Sequence, residues 1–156
     1  MALSLTSDMR DLLEIFKSRK VEYVVVGGFA VNFYGYVRNT QDLDVLVFPS
    51  VKNAGRVMQA LEEFGFGDAG IPQELFERRG SAIHLGVEPN RIDLLTKLEG
   101  VDTEQIRHGV RQVDLDGCRV RMVSLEVLLE AKRRSSRAKD QADVEELERA
   151  RAGLGT

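Results

Sequence analysis

Apolar residues along this 156-residue chain fall into short clusters of two different periods. Leu12, Leu13, Ile15 and Phe16 share one side of a helical period, so residues 7–19 are expected to form an amphipathic helix with Ser7 as its N-cap. VEYVVVGG instead runs through strand-favouring residues to a glycine pair, the pattern of a buried strand. FAVNFYGY predicts a short helix closing at Gly35, and QDLDVLVF a second strand stopped by Pro49 and Ser50. Residues 50–64 return to helical spacing through Val57, Met58, Leu61 and Phe64. In 82–88, Ile83, Leu85 and Val87 alternate onto one face, and the turn EPN leads into RIDLLTKL, which together predict a hairpin. A short helix at 102–109 precedes a strand pair, VRQVDLDGCRVRMV, turning at Asp116-Gly117. SLEVLLEAKRR, with Ser124 as N-cap, and AKDQADVEELERARA read as the closing helices. With no internal repeat and no long linker, this order implies one α+β domain over 1–156: a small mixed β-sheet flanked by helices, with a C-terminal helical part at 124–152.

Composition removes several function classes. Hydrophobic residues at 43% and charged residues at 30% suit a globular chain rather than a disordered one. A formal net charge of −3 gives no global basic field for nucleic acid, although a local patch is compatible with it. The one cysteine, Cys118, excludes an internal disulfide framework, fits a reducing, cytoplasmic setting, and reads as an idle thiol beside a hairpin turn. No apolar run approaches the roughly 20 residues that cross a bilayer, so no membrane association is expected. The N-terminal segment lacks the pattern of a signal peptide. His84 and His108 have no zinc-ligand spacing, and His84 is expected on the face away from Ile83 and Leu85, solvated or hydrogen-bonded.

What remains is chemistry carried by carboxylates. Asp42 and Asp44 stand at the front of an apolar strand, where residues i and i+2 share a face. Two adjacent carboxylates repel unless a cation is shared between them. Mg²⁺ suits such a pair, because it takes one or two carboxylates and completes its octahedron with water and phosphate oxygens. Asp93, in RIDLL, can join the same site if its strand lies beside QDLDV, and three carboxylates can hold two metal ions for in-line phosphoryl chemistry. Gly27-Gly28 falls where a strand gives way to a helix, so the backbone there can approach an anion and present amides to it.

The stretch VVGGFAVNFYGYVRNTQDLDVLV resembles the signature of the nucleotidyltransferase superfamily typified by DNA polymerase β: a glycine pair, a short helix, then DhD on the next strand, h being an apolar residue. It is similar to the minimal nucleotidyltransferases of prokaryotic toxin–antitoxin systems and to the head domain of tRNA CCA-adding enzymes. The resemblance covers residues 7–98 by motif and reaches the tail through S-x-E-x-L-x-x-x-K and K-D-x-x-D. It implies a polymerase β-like fold that transfers a nucleoside monophosphate from an NTP to a hydroxyl of a protein, RNA or small molecule. It further implies two Mg²⁺ ions, or Mn²⁺, on Asp42, Asp44 and Asp93, with Asp93 also helping to deprotonate the attacking hydroxyl. Gly27 and Gly28 would hold the triphosphate, Arg38 and Thr40 would touch phosphate or brace the DhD strand, and Lys132 would contact phosphate from the tail. Many active relatives have serine where this chain has Gly28.

Other readings of the same residues stay open beside these. Arg38 could pair with Asp42 or Asp44. The basic run at 132–139 is either a solvated helix end balanced by the acidic tail or a rim contacting phosphate or RNA. The chain could be a catalytically silent relative acting through a protein partner or RNA. A cognate protein partner or a homodimer is expected to complete an acceptor surface for which so short a chain has little room.

Overall fold

The computed structural model describes residues 4–36, 42–87 and 89–154. Helix α1 (Ser7–Ser18) is capped by Thr6, whose hydroxyl accepts from the Met9 amide, rather than by Ser7, and buries Met9, Leu12, Leu13 and Phe16. The following strand β1 (Tyr23–Val26) is buried at every position. Helix α2 (Gly27–Phe33) starts at the glycine pair itself, earlier than its apolar residues suggest. Strand β2 (Leu43–Val47) follows, then helix α3 (Val51–Leu61), capped by Ser50. The helical path of α3 widens over Glu62–Phe66 and breaks at Gly65, whose φ is +106°. A short helix α4 (Glu74–Glu77) leads into strands β3 (Ala82–Leu85) and β4 (Ile92–Leu95). Helix α5 (Thr103–Arg107), strands β5 (Arg111–Leu115) and β6 (Cys118–Met122), and helices α6 (Leu125–Arg133) and α7 (Ala138–Leu154) complete the order.

The six strands form one mixed sheet in the order β3-β4-β2-β1-β6-β5. β1 runs antiparallel to β2 and parallel to β6, while β2 and β4 are parallel. The outer pairs β3–β4 and β5–β6 are the two predicted hairpins. The central strands carry consecutive apolar residues, Tyr23–Val26 in β1 and Val45–Val47 in β2, because both faces are covered: Val45 and Leu46, on opposite sides of β2, are both buried. In β6 the pattern alternates, with Cys118, Val120 and Met122 buried between more exposed arginines. Asp116 and Gly117 both take positive φ, 52° and 80°, which matches a two-residue turn to the twist of its strands. Val87, expected beside Ile83 and Leu85, is 78% exposed, because β3 ends at Leu85 and Gly86 turns the chain away.

A buried amide braces the centre of the sheet. Asn53, on α3, donates to the Glu22 and Phe48 carbonyls and accepts from the Glu22 amide, tying the start of β1 to the end of β2. The opposite ends of these strands are thereby left to the loops and the glycine pair.

Candidate active site

Register decides which residues meet. The antiparallel pairing of β1 and β2 puts Val26 opposite Asp44, so Gly27 follows immediately beside that aspartate. The parallel pairing of β2 and β4 puts Asp93 next to Asp44. Asp42 sits one residue before β2, so three carboxylates from two adjacent strands gather at the end of β1. The strand adjacency on which the inclusion of Asp93 depended is therefore present.

Gly27 is fitted to this cluster. Its φ is +67°, and a Cβ placed there would lie 2.0 Å from Asp44 Oδ2. The carboxylate rests against bare backbone, a close approach that only glycine allows. Gly28 is buried in the first turn of α2, and no side chain caps the amides of that turn.

The electrostatics explain how the carboxylates coexist. Arg91 lies two residues before Asp93 and forks onto it, with Nε 2.9 Å from Oδ1 and Nη2 3.2 Å from Oδ2. The same Nε is 3.9 Å from Asp42 Oδ2. His84, directly across from Asp93 on β3, places Nδ1 2.6 Å from Asp93 Oδ1. Burial alone would raise the Asp93 carboxyl, but the hydrogen bonds from Arg91 and His84 outweigh it and hold it below the usual carboxylate range. Asp44 goes the other way, to about 7, pushed up first by burial and then by the neighbouring charges of Asp93 and Asp42. The pair thus divides its charge, Asp93 ionised and Asp44 inclined to hold a proton.

Sequence reasoning placed His84 on a polar face without linking it to the site, and missed Arg91 altogether. The i, i+2 spacing of Arg91 and Asp93 on a strand was the available signal. The cross-strand partner of His84 could be found only by fixing the hairpin register.

A groove of about 550 Å³ opens from Gly27 and Asp44 toward the link between α6 and α7. Its floor includes Val26, Leu95 and Leu128, and its rim Lys97, Arg134 and Arg137. Lys132 also lines it, with Nζ held 3.1 Å from Asp140 Oδ1 and 2.8 Å from Asp143 Oδ2. Burial would raise the Asp140 carboxyl, yet hydrogen bonds from Ser135, Lys132 and Arg137 and the Lys132 charge lower it to about 2. Arg133 and Arg137 pair with Glu148 and Asp140 of the acidic tail, and Arg134 with Glu130 one turn before it. Arg38 and Thr40 lie outside the described residues.

The donor set suits a hard divalent cation: three carboxylates on facing strands, one of them raised to about 7 by burial and its acidic neighbours. Among the described residues, however, no three Asp, Glu, His or Cys side chains converge as a ready-made metal cage. The Arg91 guanidinium stands among these carboxylates instead.

Comparison with known proteins agrees with this architecture. No curated protein matches the sequence. Among solved structures, the lincosamide antibiotic adenylyltransferase LnuA in its lincomycin-bound form is 15% identical, with a TM-score of 0.54, covering 94% of this chain and 98% of its own. The antibiotic-resistance factor ANT(2'')-Ia is 16% identical, with a TM-score of 0.54 and coverage of 95% and 89%. An antigenic nucleotidyltransferase-like protein from Paracoccidioides brasiliensis is 19% identical, with a TM-score of 0.56 and coverage of 95% and 78%. At such identities the likeness is one of fold. A family described as "Nucleotidyltransferase of unknown function (DUF6036)" matches residues 3–150, nearly the whole sequence. The chain belongs to this nucleotidyltransferase family, and its six-stranded mixed sheet with flanking helices matches the fold of the nucleotidyltransferase neighbours.

Proposed function

We propose that the protein transfers a nucleoside monophosphate from an NTP to an acceptor hydroxyl, in a Mg²⁺-dependent reaction. The observation that carries this reading is the register that sets Asp44 beside Asp93 and against the bare backbone of Gly27. Asp42, Asp44 and Asp93 are the residues that would hold Mg²⁺, two ions in the full complement, with Mn²⁺ as a substitute. When bound, the metal supplies charge stabilisation to the attacking and leaving oxygens of an in-line displacement.

The chain's own groups do the rest. Gly27 and Gly28 present uncapped amides to the triphosphate, and the groove that continues past Asp44 offers an apolar floor and a rim of both charges to the remainder of the nucleotide. Lys132, Arg38 and Thr40 would contact the phosphates, a role that rests on the family resemblance alone. Asp93, kept ionised, orients the acceptor hydroxyl and takes its proton. The acceptor oxygen bonds to the α-phosphorus as the bond to the bridging oxygen breaks, and pyrophosphate leaves.

A fold neighbour described as an antibiotic adenylyltransferase in a lincomycin-bound form supports a small molecule as acceptor beside a protein or RNA. We further propose a cytoplasmic reaction, with a cognate protein or a second copy of the chain completing the acceptor surface. RNA contact through 132–139 would require Arg133, Arg134 and Arg137 to exchange Glu148, Glu130 and Asp140, their partners within the chain, for phosphates.

Incubation with each α-labelled NTP, Mg²⁺ and cell lysate should label one class of acceptor. Asp44→Asn and Asp93→Asn should each reduce labelling on the order of a hundred- to a thousand-fold. Absence of label with all four nucleotides, or full labelling by both variants, would overturn the reading and favour a non-catalytic binding module.

A further inference from the structure

We propose that Arg91 is an internal counter-cation of the acidic cluster, which a divalent cation must displace before Asp42, Asp44 and Asp93 can bind it together. This inference rests on the metal-binding reading of those carboxylates and assigns a competitor to the same site.

The geometry is specific. The Arg91 carbonyl accepts from the Leu43 amide, which pins the arginine backbone beside the first residue of β2. From there its guanidinium forks onto both oxygens of Asp93 and reaches Asp42 on the neighbouring strand. Asp93 is nearly buried and the Arg91 side chain is only 33% exposed, so the fork is not a solvated surface pair. The charge cannot be switched off, because guanidinium does not deprotonate in proteins. A Mg²⁺ ion needs carboxylate oxygens at about 2.0–2.1 Å, and those same lone pairs of Asp93 are occupied by Arg91 and His84. A divalent cation and a guanidinium held against one carboxylate also repel each other.

The expected consequence is coupling. Without nucleotide, Arg91 neutralises part of the cluster and weakens metal binding. The triphosphate brings the negative charge that offsets an arriving metal, so metal and nucleotide bind more tightly together than apart. Removing Arg91 should relieve the first effect and reduce that coupling.

Mn²⁺ binding to the 156-residue chain, followed by electron paramagnetic resonance without nucleotide, tests this independently of turnover. Arg91→Gln should bind Mn²⁺ about tenfold more tightly than wild type, a change of about 1.4 kcal/mol. Millimolar methylguanidinium should weaken Mn²⁺ binding to Arg91→Ala while leaving wild type unaffected, which a merely structural arginine would not produce. Arg91→Lys, which keeps the charge but lacks the planar fork, should gain affinity several-fold and guards against misfolding of the other variants. If Asp44→Asn abolishes Mn²⁺ binding but all three Arg91 variants bind as wild type or more weakly, the counter-cation role is wrong and the metal reading survives. If neither wild type nor Arg91→Gln binds Mn²⁺, with or without nucleotide, both fall together.

Discussion

Gly27 shows how much can depend on the absence of one methyl group. A glycine pair between a strand and a helix is visible in the sequence, and its suitability for an anion follows from that position alone. Its tight contact with Asp44 is not visible there, since the two are separated by the whole α2 segment and meet only through the β1–β2 register. Alanine at 27 would take a left-handed backbone and drive its Cβ into the Asp44 carboxylate. Gly27→Ala is therefore expected to cost about 1–3 kcal/mol in urea unfolding and to abolish nucleotidyl transfer. A variant that unfolds at the wild-type urea concentration would show that the carboxylate moves aside at little cost. Arg91 teaches the complementary lesson: an arginine in a charged turn looks ordinary in sequence and becomes the partner of two aspartates once the strands are paired.

At the scale of elements, the hydrophobic pattern identified both hairpins and the central strands, because buried runs and turn residues are local properties. Errors gathered at element ends. Thr6 caps α1 where Ser7 was expected, and Val87 leaves the sheet because Gly86 turns the chain. The link between α6 and α7 depends on a buried ion cluster that patterning does not reveal: Lys132 with Asp140 and Asp143, joined by Ser135 and Arg137. Asp140 is depressed to about 2 in the folded protein from an ordinary value of 3.8. Because the folded value is the lower one, this group stabilises the protein above pH 4, by about 2 kcal/mol, and the contribution disappears as pH falls from about 4 to about 2. Asp140→Asn should be less stable than wild type at neutral pH and show a smaller loss of stability between pH 4 and 2. Parallel pH–stability curves for the two proteins, measured by urea unfolding, would remove Asp140 from the account.

For the whole molecule, a bound ligand is the most direct probe of the site. If NTP and Mg²⁺ bind the folded chain alone, a ligand concentration one hundred times the dissociation constant adds about 2.7 kcal/mol, or roughly 5–10 °C in Tm for a protein of this size. The shift should appear in wild type and be lost in Asp44→Asn, measured by scanning calorimetry. An equal shift in both would place the nucleotide elsewhere. The α+β class, the hairpins and the acidic and glycine motifs are legible along the chain, because periodicity, turn chemistry and residue type are local properties. Folding alone brings Asp93 beside Asp44, sets Gly27 against that aspartate, and hydrogen-bonds Arg91 and His84 to Asp93. Those contacts depend on strand order and register, which distant segments fix by packing together.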